Sequence, residues 1–524
     1  MRFREFMKSH KNKFAIVLIV VLAATFYSLT LRGTSGNPDV SMFKDNLDQA
    51  TKAFELSPER GRYAHVLALG ERETYALNRE IADEVYSDVG YYNGKFFAFF
   101  APGISYMALP FYLLGKHYNL AQVATFSFIS LMSILALLFL FKIAREIIRL
   151  PLWASLLSVV IFAFGSTAWS YAITLYQHHL TVLFIVSSFY AVWRYKAATP
   201  WSWLWGAYVW LAYGLAIFID YPNVLLMLPI IIYFLVVSLH TEERQKKVTF
   251  SLRGAFLATA LLFMIISGLH LYHNDYYFGS WKQLSGGLPK YKVINEAALL
   301  EKLPASQELL QISETQNVVG YFKEKFIPFS FYTLTVSPDR GLFFYAPIFL
   351  LSLFGVFAIR KKITLEFATL LGVVGVNVLF YSSWGDPWGG WAYGPRYLIP
   401  SMAVLSLFIG GWVSINKSPA INIVKKILAY ILFLYSSGIA LLGAITTNAI
   451  PPKVEADYFH LKYNFLRNYD YLSRGESGSF IYNTYLSNSL TLQEYFVILY
   501  IALALIAGII LFVLPKFKQL NYES

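Results

Sequence analysis

The chain reads as an all-α polytopic membrane protein of about twelve transmembrane helices with large extracytoplasmic loops. Composition is the first reason: 57% of the 524 residues are apolar and only 14% are charged, where globular domains carry about 25% charged side chains. A solvent that does not reward charge explains the deficit, and the bilayer is that solvent. The second reason is the length of the apolar runs, which match the ~20 residues a helix needs to cross a ~30 Å hydrocarbon core. The third is the placement of lysine and arginine in alternate short segments. An aromatic content of 18% argues against disorder, and the absence of cysteine excludes disulfide scaffolds, thiolate zinc sites and cysteine nucleophiles.

Taken in order, residues 14–31 follow a basic leader, 1–13, and run without a charge. They exceed the ~7–15 residues of a signal-peptide core and are expected to stay as an anchor. Further spans are expected at 118–141, 152–171, 173–193, 204–219, 222–239, 254–273, 341–359, 363–383, 397–415, 427–447 and 493–514. Residues 101–115 are left out because Pro102 and Pro110 interrupt a short run, which is expected to be an interfacial or re-entrant helix on the outer side. With that parity, 22 of the 43 lysines and arginines fall in seven short segments on the side of the amino terminus. Those segments are 1–13, Lys142 to Arg149, Arg194 with Lys196, Arg244 to Arg253, Arg360 to Lys362, Lys417 to Lys426, and Lys516 with Lys518.

Both termini are therefore expected in the cytoplasm of a multi-pass cell-membrane protein whose active site faces outward. The net charge of +12 is a topology signal, and with no basic aromatic platform no nucleic-acid partner is expected. One integral unit is expected: 1–32 the first span, 33–117 a first outer loop with interfacial helices, 118–273 spans two to seven, 274–340 a middle outer loop, 341–447 spans eight to eleven, 448–492 a third outer loop, and 493–524 the last span and tail.

Chemistry then has to sit on the outer face, where loops bring ionisable groups together. Ser57-Pro58-Glu59-Arg60-Gly61-Arg62-Tyr63-Ala64 sets a carboxylate beside guanidinium groups at a helix start that Pro58 favours, ahead of an amphipathic stretch, 64–71, expected along the membrane surface. A carboxylate there can take a proton from a hydroxyl nucleophile while arginines hold a phosphate leaving group. The plainer alternative is a first-turn acid paired with Arg60 or Arg62. Asn93-Gly94 predicts a hairpin turn capped by Asp88, with Lys95 near the mouth of any lipid-phosphate site.

His178 and His179 at the outer end of the fourth span, and Asp220 in the turn after the fifth, need partners at that depth. Helix capping is the competing role for Asp220. Adjacent histidines point apart on a helix, so a two-His metal site is disfavoured; no cofactor is expected, a divalent cation being the lesser alternative. Asp386 and the run from Trp388 to Arg396 precede the tenth span, and three glycines in that run allow close backbone approach. Arg396 is well placed there for a fixed phosphate, with an aromatic interfacial belt as the alternative.

In this order the motifs resemble the polytopic GT-C glycosyltransferases, especially the branch of dolichyl-phosphate-mannose protein mannosyltransferases and aminoarabinose lipid A transferases. The resemblance is carried by Glu59, Arg62, Tyr63 and Ala64; by Tyr91, Tyr92, Gly94, Lys95, Pro102 and Gly103; by Asn274 with Phe278-Gly279; by Ser337-Pro338-Asp339-Arg340-Gly341-Leu342; and by Trp388 to Trp391 with Gly394-Pro395-Arg396. It implies a GT-C-like fold and an inverting transfer from a polyprenyl-phosphate sugar to a hydroxyl of a protein, lipid or glycan acceptor. Glu59 is then the base candidate and Arg62 its neighbour; apart from the resemblance, Asp88 is the other candidate catalytic residue. Arg62, Tyr63, Lys95, His178, His179, Asp220, Arg340, Asp386 and Arg396 are the candidate substrate- and phosphate-binding residues.

Two departures stand out: the family usually has Asp where this chain has Glu59, and the Lys-Pro-Pro of the aminoarabinose branch is here Phe100-Ala101-Pro102. A twelve-span secondary transporter is the rival from another class, but the mid-span regions hold almost no ionisable residues. A lipid-linked glycan polymerase or ligase would share the outer site and differ in its acceptor.

Overall fold

A computed structural model describes residues 2–37, 40–43, 53–85, 88–197, 199–244, 247–252, 254–293, 310–312, 322–359 and 365–516. Of the basic residues used for topology, Lys246, Arg253, Arg360, Lys361, Lys362 and Lys518 lie outside the described residues. Among the described residues eight helices are long and apolar enough to cross a membrane: Lys11–Thr30, Ala121–Ile147, Ser202–Ile219, Phe256–Phe278, Leu365–Ser383, Arg396–Ser414, Pro419–Ile445 and Leu492–Val513. The chain is a multi-pass membrane protein. The other four expected spans fall on the shorter apolar helices Leu152–Phe164, Asn223–Ser238 and Pro347–Ala358 and on His178–Lys196, so every expected span contains a helix, but among the described residues eight, not twelve, meet the length and hydropathy of a crossing.

Helix α1 (Arg2–Thr30) has neither proline nor glycine. It buries Ala15, Ile19, Ala23, Phe26 and Tyr27 at helical spacing, while Phe14, Val17 and Val21 stay exposed. Large apolar side chains on the outer surface are what a lipid-facing helix requires.

The segment after the first span packs deeply. Helix α2 (Ser57–Arg72) buries all ten residues from Glu59 to Ala68, so of the 64–71 stretch only the last three residues reach the surface. It is covered by the next elements: α3 (Arg79–Val85), the antiparallel pair β1 (Val89–Tyr92) and β2 (Lys95–Ala98), and α4 (Gly103–His117). The hairpin pairs Tyr92 with Lys95, and Asn93 and Gly94 both take positive φ, 46° and 77°, as a two-residue turn of this twist needs. Helix α4 is the 101–115 segment; it buries Ile104, Ala108 and Tyr112 and exposes Leu113 and Leu114. Its Ser105 hydroxyl donates to the Arg62 carbonyl at 3.0 Å. Among the described residues three two-stranded sheets depart from a purely helical reading, each confined to a connection between helices.

After α5 (Ala121–Lys142), the third and fourth expected spans are broken. Helix α6 (Leu152–Phe164) stops at Gly165, α7 (Ala168–Ala172) is a short piece, and helix α8 (His178–Lys196) starts only after the irregular residues 173–177. Irregular backbone inside a membrane protein must be satisfied by protein. Here the Ile173 carbonyl accepts the Arg32 N–H at 3.2 Å and the Thr174 carbonyl accepts the Tyr176 N–H at 2.9 Å. Helix α9 (Ser202–Ile219) ends at Asp220, where the Gly103 Cα abuts its last turn: a Cβ on Gly103 would lie 2.6 Å from the Phe218 carbonyl oxygen. The start of α2, the start of α4, the 173–177 link and the end of α9 thus meet at one place.

Candidate active site

Glu59 sits in the first turn of α2, where the helix dipole favours an acid. The side chain does not pair with Arg60 or Arg62. One carboxylate oxygen accepts the hydroxyl of Thr174, from the irregular link, and the other accepts the backbone N–H of Glu55 at 2.5 Å. Glu55 in turn forms an ion pair with Arg32 and accepts the Asn448 N–H at 2.9 Å. Arg32, two residues past the end of α1, also donates to the Gly443 carbonyl at 2.7 Å. Glu59 is 1% exposed. Burial is the main reason its carboxyl rises to about 7, with the Glu55 charge adding to it and the Thr174 hydroxyl, the Glu55 N–H and Arg32 opposing.

Arg62 lies one turn further along α2. It donates to the Pro58 carbonyl at 3.0 Å and to Gln177 Oε1 at 2.7 Å, and its guanidinium covers the Phe100 ring at 4.5 Å. Burial lowers it to about 10, against the pull of Asp220 and Tyr176, so it remains a cation at neutral pH. Beside this pair lies Asp220, whose carboxyl is raised to about 6 by burial and held down by Arg62, Gln177 and Arg396.

Arg396 approaches from the other half of the chain. Its guanidinium lies 5.5 Å from the centres of the Tyr176 and Tyr397 rings, and Nη2 donates to the Gly389 carbonyl at 2.5 Å. The turn before it is built by Asp386, which accepts the N–H groups of Gly389 at 3.1 Å and Gly390 at 2.9 Å. Gly389 has φ +67°, and a Cβ there would come within 2.9 Å of Arg396 Nε, so glycine is what leaves the guanidinium its place.

Several buried polar atoms of this cluster have no hydrogen-bond partner: the Tyr176 hydroxyl, His178 Nε2, Arg62 Nε, and Arg396 Nε and Nη1. Buried donors are ordinarily satisfied, and buried cations without partners are costly, so the set is what an anionic or polyhydroxylated ligand would complete. The His178 ring stacks at 14° to Tyr176 and faces Tyr171 and Tyr397 edge-on.

Glu59, Arg62, His178, Asp220, Asp386 and Arg396 are therefore brought to one region, while the remaining candidates are placed elsewhere or already engaged. His179 is a strut, its Nε2 2.8 Å from the Ala168 carbonyl. Arg340 is fully buried and spends its donors on Asp339 and on the carbonyls of Trp388, Gly390 and Ile450, which leaves no fork for a phosphate. Asp88 accepts the Ser57 hydroxyl at 2.5 Å and braces the start of α2. Tyr63 points into an aromatic cluster with Phe43, Phe54, Tyr112 and Phe126. Lys95 is exposed at the tip of the hairpin. Among the described residues no group of three or more His, Asp or Glu could hold a metal ion.

The sequence reading missed Glu55, Arg32, Thr174, Gln177 and the ring of Tyr176 as site members. Glu55 carried a signal, a second acid four residues before Glu59, and so did Arg32, a charge just past the end of an apolar run.

No protein-family model matches the chain, and no curated protein matches it. Among solved structures, it is similar to that of ArnT from Cupriavidus metallidurans in the apo state. That likeness covers 95% of this chain and 77% of that one at 14% identity, with a TM-score of 0.46. It is similar also to the Archaeoglobus fulgidus oligosaccharyltransferase tethered with an acceptor peptide, over 87% of this chain at 11% identity and a TM-score of 0.45. A third is the archaeal oligosaccharyltransferase AglB from the same organism, in complex with an inhibitory peptide and a dolichol-phosphate, over 93% of this chain at 11% identity and a TM-score of 0.43. The chain spans 57% and 60% of the lengths of those two oligosaccharyltransferase chains. At these scores the likeness carries no residue-by-residue correspondence.

Proposed function

We propose that the chain is a membrane glycosyltransferase that moves a sugar from a polyprenyl-phosphate carrier to an acceptor hydroxyl at the extracytoplasmic face, with inversion. The single observation that carries this reading is the juxtaposition of Glu59, a buried carboxyl poised near neutral pH, with two arginines that converge on Tyr176 and keep donors free. A lipid-linked sugar cannot leave the bilayer, so its site has to open where membrane helices meet outer loops. Glu59, on the first outer loop, and Arg396, at the start of a membrane helix, fit that requirement.

In the reaction so read, the acceptor hydroxyl gives its proton to Glu59 as its oxygen attacks the anomeric carbon. The bond from that carbon to the phosphate oxygen breaks, and its electron pair leaves with the polyprenyl phosphate. Arg62 and Arg396 hold the charge that develops on the phosphate, and His178 Nε2 and the Tyr176 hydroxyl are free to bond phosphate or sugar oxygens. No step requires a metal. The resemblance of Glu59-Arg60-Gly61-Arg62-Tyr63-Ala64 to the GT-C element supports the same assignment of base and phosphate residue.

The test is release of free polyprenyl phosphate by the reconstituted protein from a panel of polyprenyl-phosphate sugars, with a membrane extract as acceptor source. Turnover by the wild type that collapses in Glu59→Gln is the expected result. Equal turnover by that variant would remove Glu59 as base and leave Asp220 as the next carboxylate in the cluster. Ion-coupled solute flux without sugar transfer would overturn the transferase reading in favour of a transporter.

A further inference from the structure

Glu55 and Glu59 form a buried acid pair that the reaction above does not use as a pair. Both side chains are shielded, at 5% and 1% exposure. They are joined by backbone, since the Glu55 N–H donates to Glu59 Oε1 at 2.5 Å, a reach-back of the kind a helix-start acid makes. The two carboxyls differ in their other partners. Glu55 has the guanidinium of Arg32 and the N–H of Asn448. Glu59 has one hydroxyl, that of Thr174. Two carboxylates in one dry site do not both ionise easily, and the cation decides which of them does so first.

We infer that Glu55 is a positioning residue: its backbone N–H fixes the Glu59 carboxyl, and its own carboxylate, paired with Arg32 and bonded by the Asn448 N–H, sets the charge that Glu59 faces. Glu59 is then the member that carries the exchangeable proton. The groups that face it are Glu55 and Arg32 on one side and Tyr176 on the other, with Arg62 and Arg396 beyond Tyr176. Because Asn448 opens the third outer loop, the arrangement ties the first outer loop to the segment 448–492 through one carboxylate. The inference rests on the reading of Glu59 as base only for its effect on turnover; the pairing itself is independent of it.

Two readouts on the full chain in detergent keep these apart. The first is a double-mutant cycle of thermal unfolding with Glu55→Gln, Glu59→Gln and the double variant, at about pH 5.5 and about pH 8.5, either side of the Glu59 titration. A coupling between the two positions that is larger at the higher pH is expected, because only there are both carboxylates charged. A coupling that is absent, or equal at both pH values, overturns the proposal whatever the activity. The second is the pH profile of kcat/KM for polyprenyl phosphate release. Its acidic midpoint should fall by about one unit in Glu55→Gln and stay in place in Glu55→Asp, which keeps the charge and tolerates the fold if Gln does not. An unmoved midpoint in Glu55→Gln also overturns the proposal. A pH-dependent coupling with full activity of Glu59→Gln would retain the pair and discard the base.

Discussion

Arg62 and Arg396 address the same phenol: their guanidinium carbons lie 5.8 and 5.5 Å from the centre of the Tyr176 ring. Two cations converge on one ring with Asp220 and Asp386 as the nearby acids, and Asp386 is occupied in holding the glycine turn. Neither guanidinium needs the other for folding, since each has its own carbonyl acceptor, Pro58 for Arg62 and Gly389 for Arg396. What they have in common is the space between them.

Replacing either arginine by alanine is therefore expected to lower kcat by about 100-fold, the usual cost of one fixed donor at a developing negative charge. The double variant should lose less than the product of the two, because both act on one phosphate. Arg62→Lys and Arg396→Lys should recover only part of the rate, as a lysine keeps the charge without the planar fork. Single-turnover rates of polyprenyl phosphate release measure all of these; equal rates in the wild type and both alanine variants would empty the clamp of its role.

Glu59 gives a pH prediction for activity and, independently, one for stability. As a base it must be unprotonated, so turnover should rise with pH and level off above about 7. For stability the sign is opposite to that of a salt-bridged acid. The folded value, raised to about 7, lies above the ordinary 4.5, so the folded protein binds this proton more tightly than the unfolded chain does. The contribution is fully present below about 4.5 and is lost as pH rises through about 7. Unfolding midpoints of wild type and Glu59→Gln across that window should converge at low pH and separate at high pH, with the variant the more stable.

Much of this was legible in the sequence, for reasons that also mark where it stopped. Apolar runs and prolines located every helix that coincides with an expected span, because burial in lipid or protein imposes the same pattern on local and final structure. Glu59, Arg62 and Arg396 stood out as charges in short motifs with helix starts and glycines around them. The break between Phe164 and His178 was not legible: 152–171 and 173–193 are apolar enough to read as two continuous spans. The irregular link at 173–177 is held by partners far away in sequence, such as Arg32, and propensity cannot announce those. Arg340 misled for the converse reason, since an arginine in a Ser-Pro-Asp-Arg-Gly turn looks like an open phosphate ligand until the carbonyls of Trp388, Gly390 and Ile450 are seen to enclose it.

Arg340 is accordingly expected to act on the fold. Its removal takes the buried cation from Asp339 and one donor from each of the carbonyls of Asp339, Trp388, Gly390 and Ile450, and breaking such a buried charge pair typically costs about 3–5 kcal/mol. Arg340→Lys should not restore the loss, because one ammonium cannot reach carbonyls that five fork-shaped N–H groups reach together. The measurement is the unfolding midpoint in detergent. A normal midpoint with a selective rise in KM for the lipid donor would instead return Arg340 to the substrate site.

Gly389→Ala separates the turn from the guanidinium that it accommodates. The left-handed backbone at φ +67° disfavours any side chain, by roughly 1–2 kcal/mol for alanine. The new methyl would also meet Arg396 Nε at 2.9 Å and a Tyr397 ring carbon at 3.0 Å. The cheapest relief is for the long arginine side chain to swing away, since its Nη2 contact is to the Gly389 carbonyl itself. The variant should thus fold with a modestly lowered midpoint yet lose activity nearly as far as Arg396→Ala, and adding it to Arg396→Ala should cost little more. By contrast Gly390, whose φ is +63° and around which a Cβ would meet nothing within 4 Å, should show the backbone cost alone when changed to alanine, with turnover close to wild type. If the two alanine variants lose turnover equally, the loss comes from the turn's conformation; if only Gly389→Ala loses it, the loss comes from displacing Arg396.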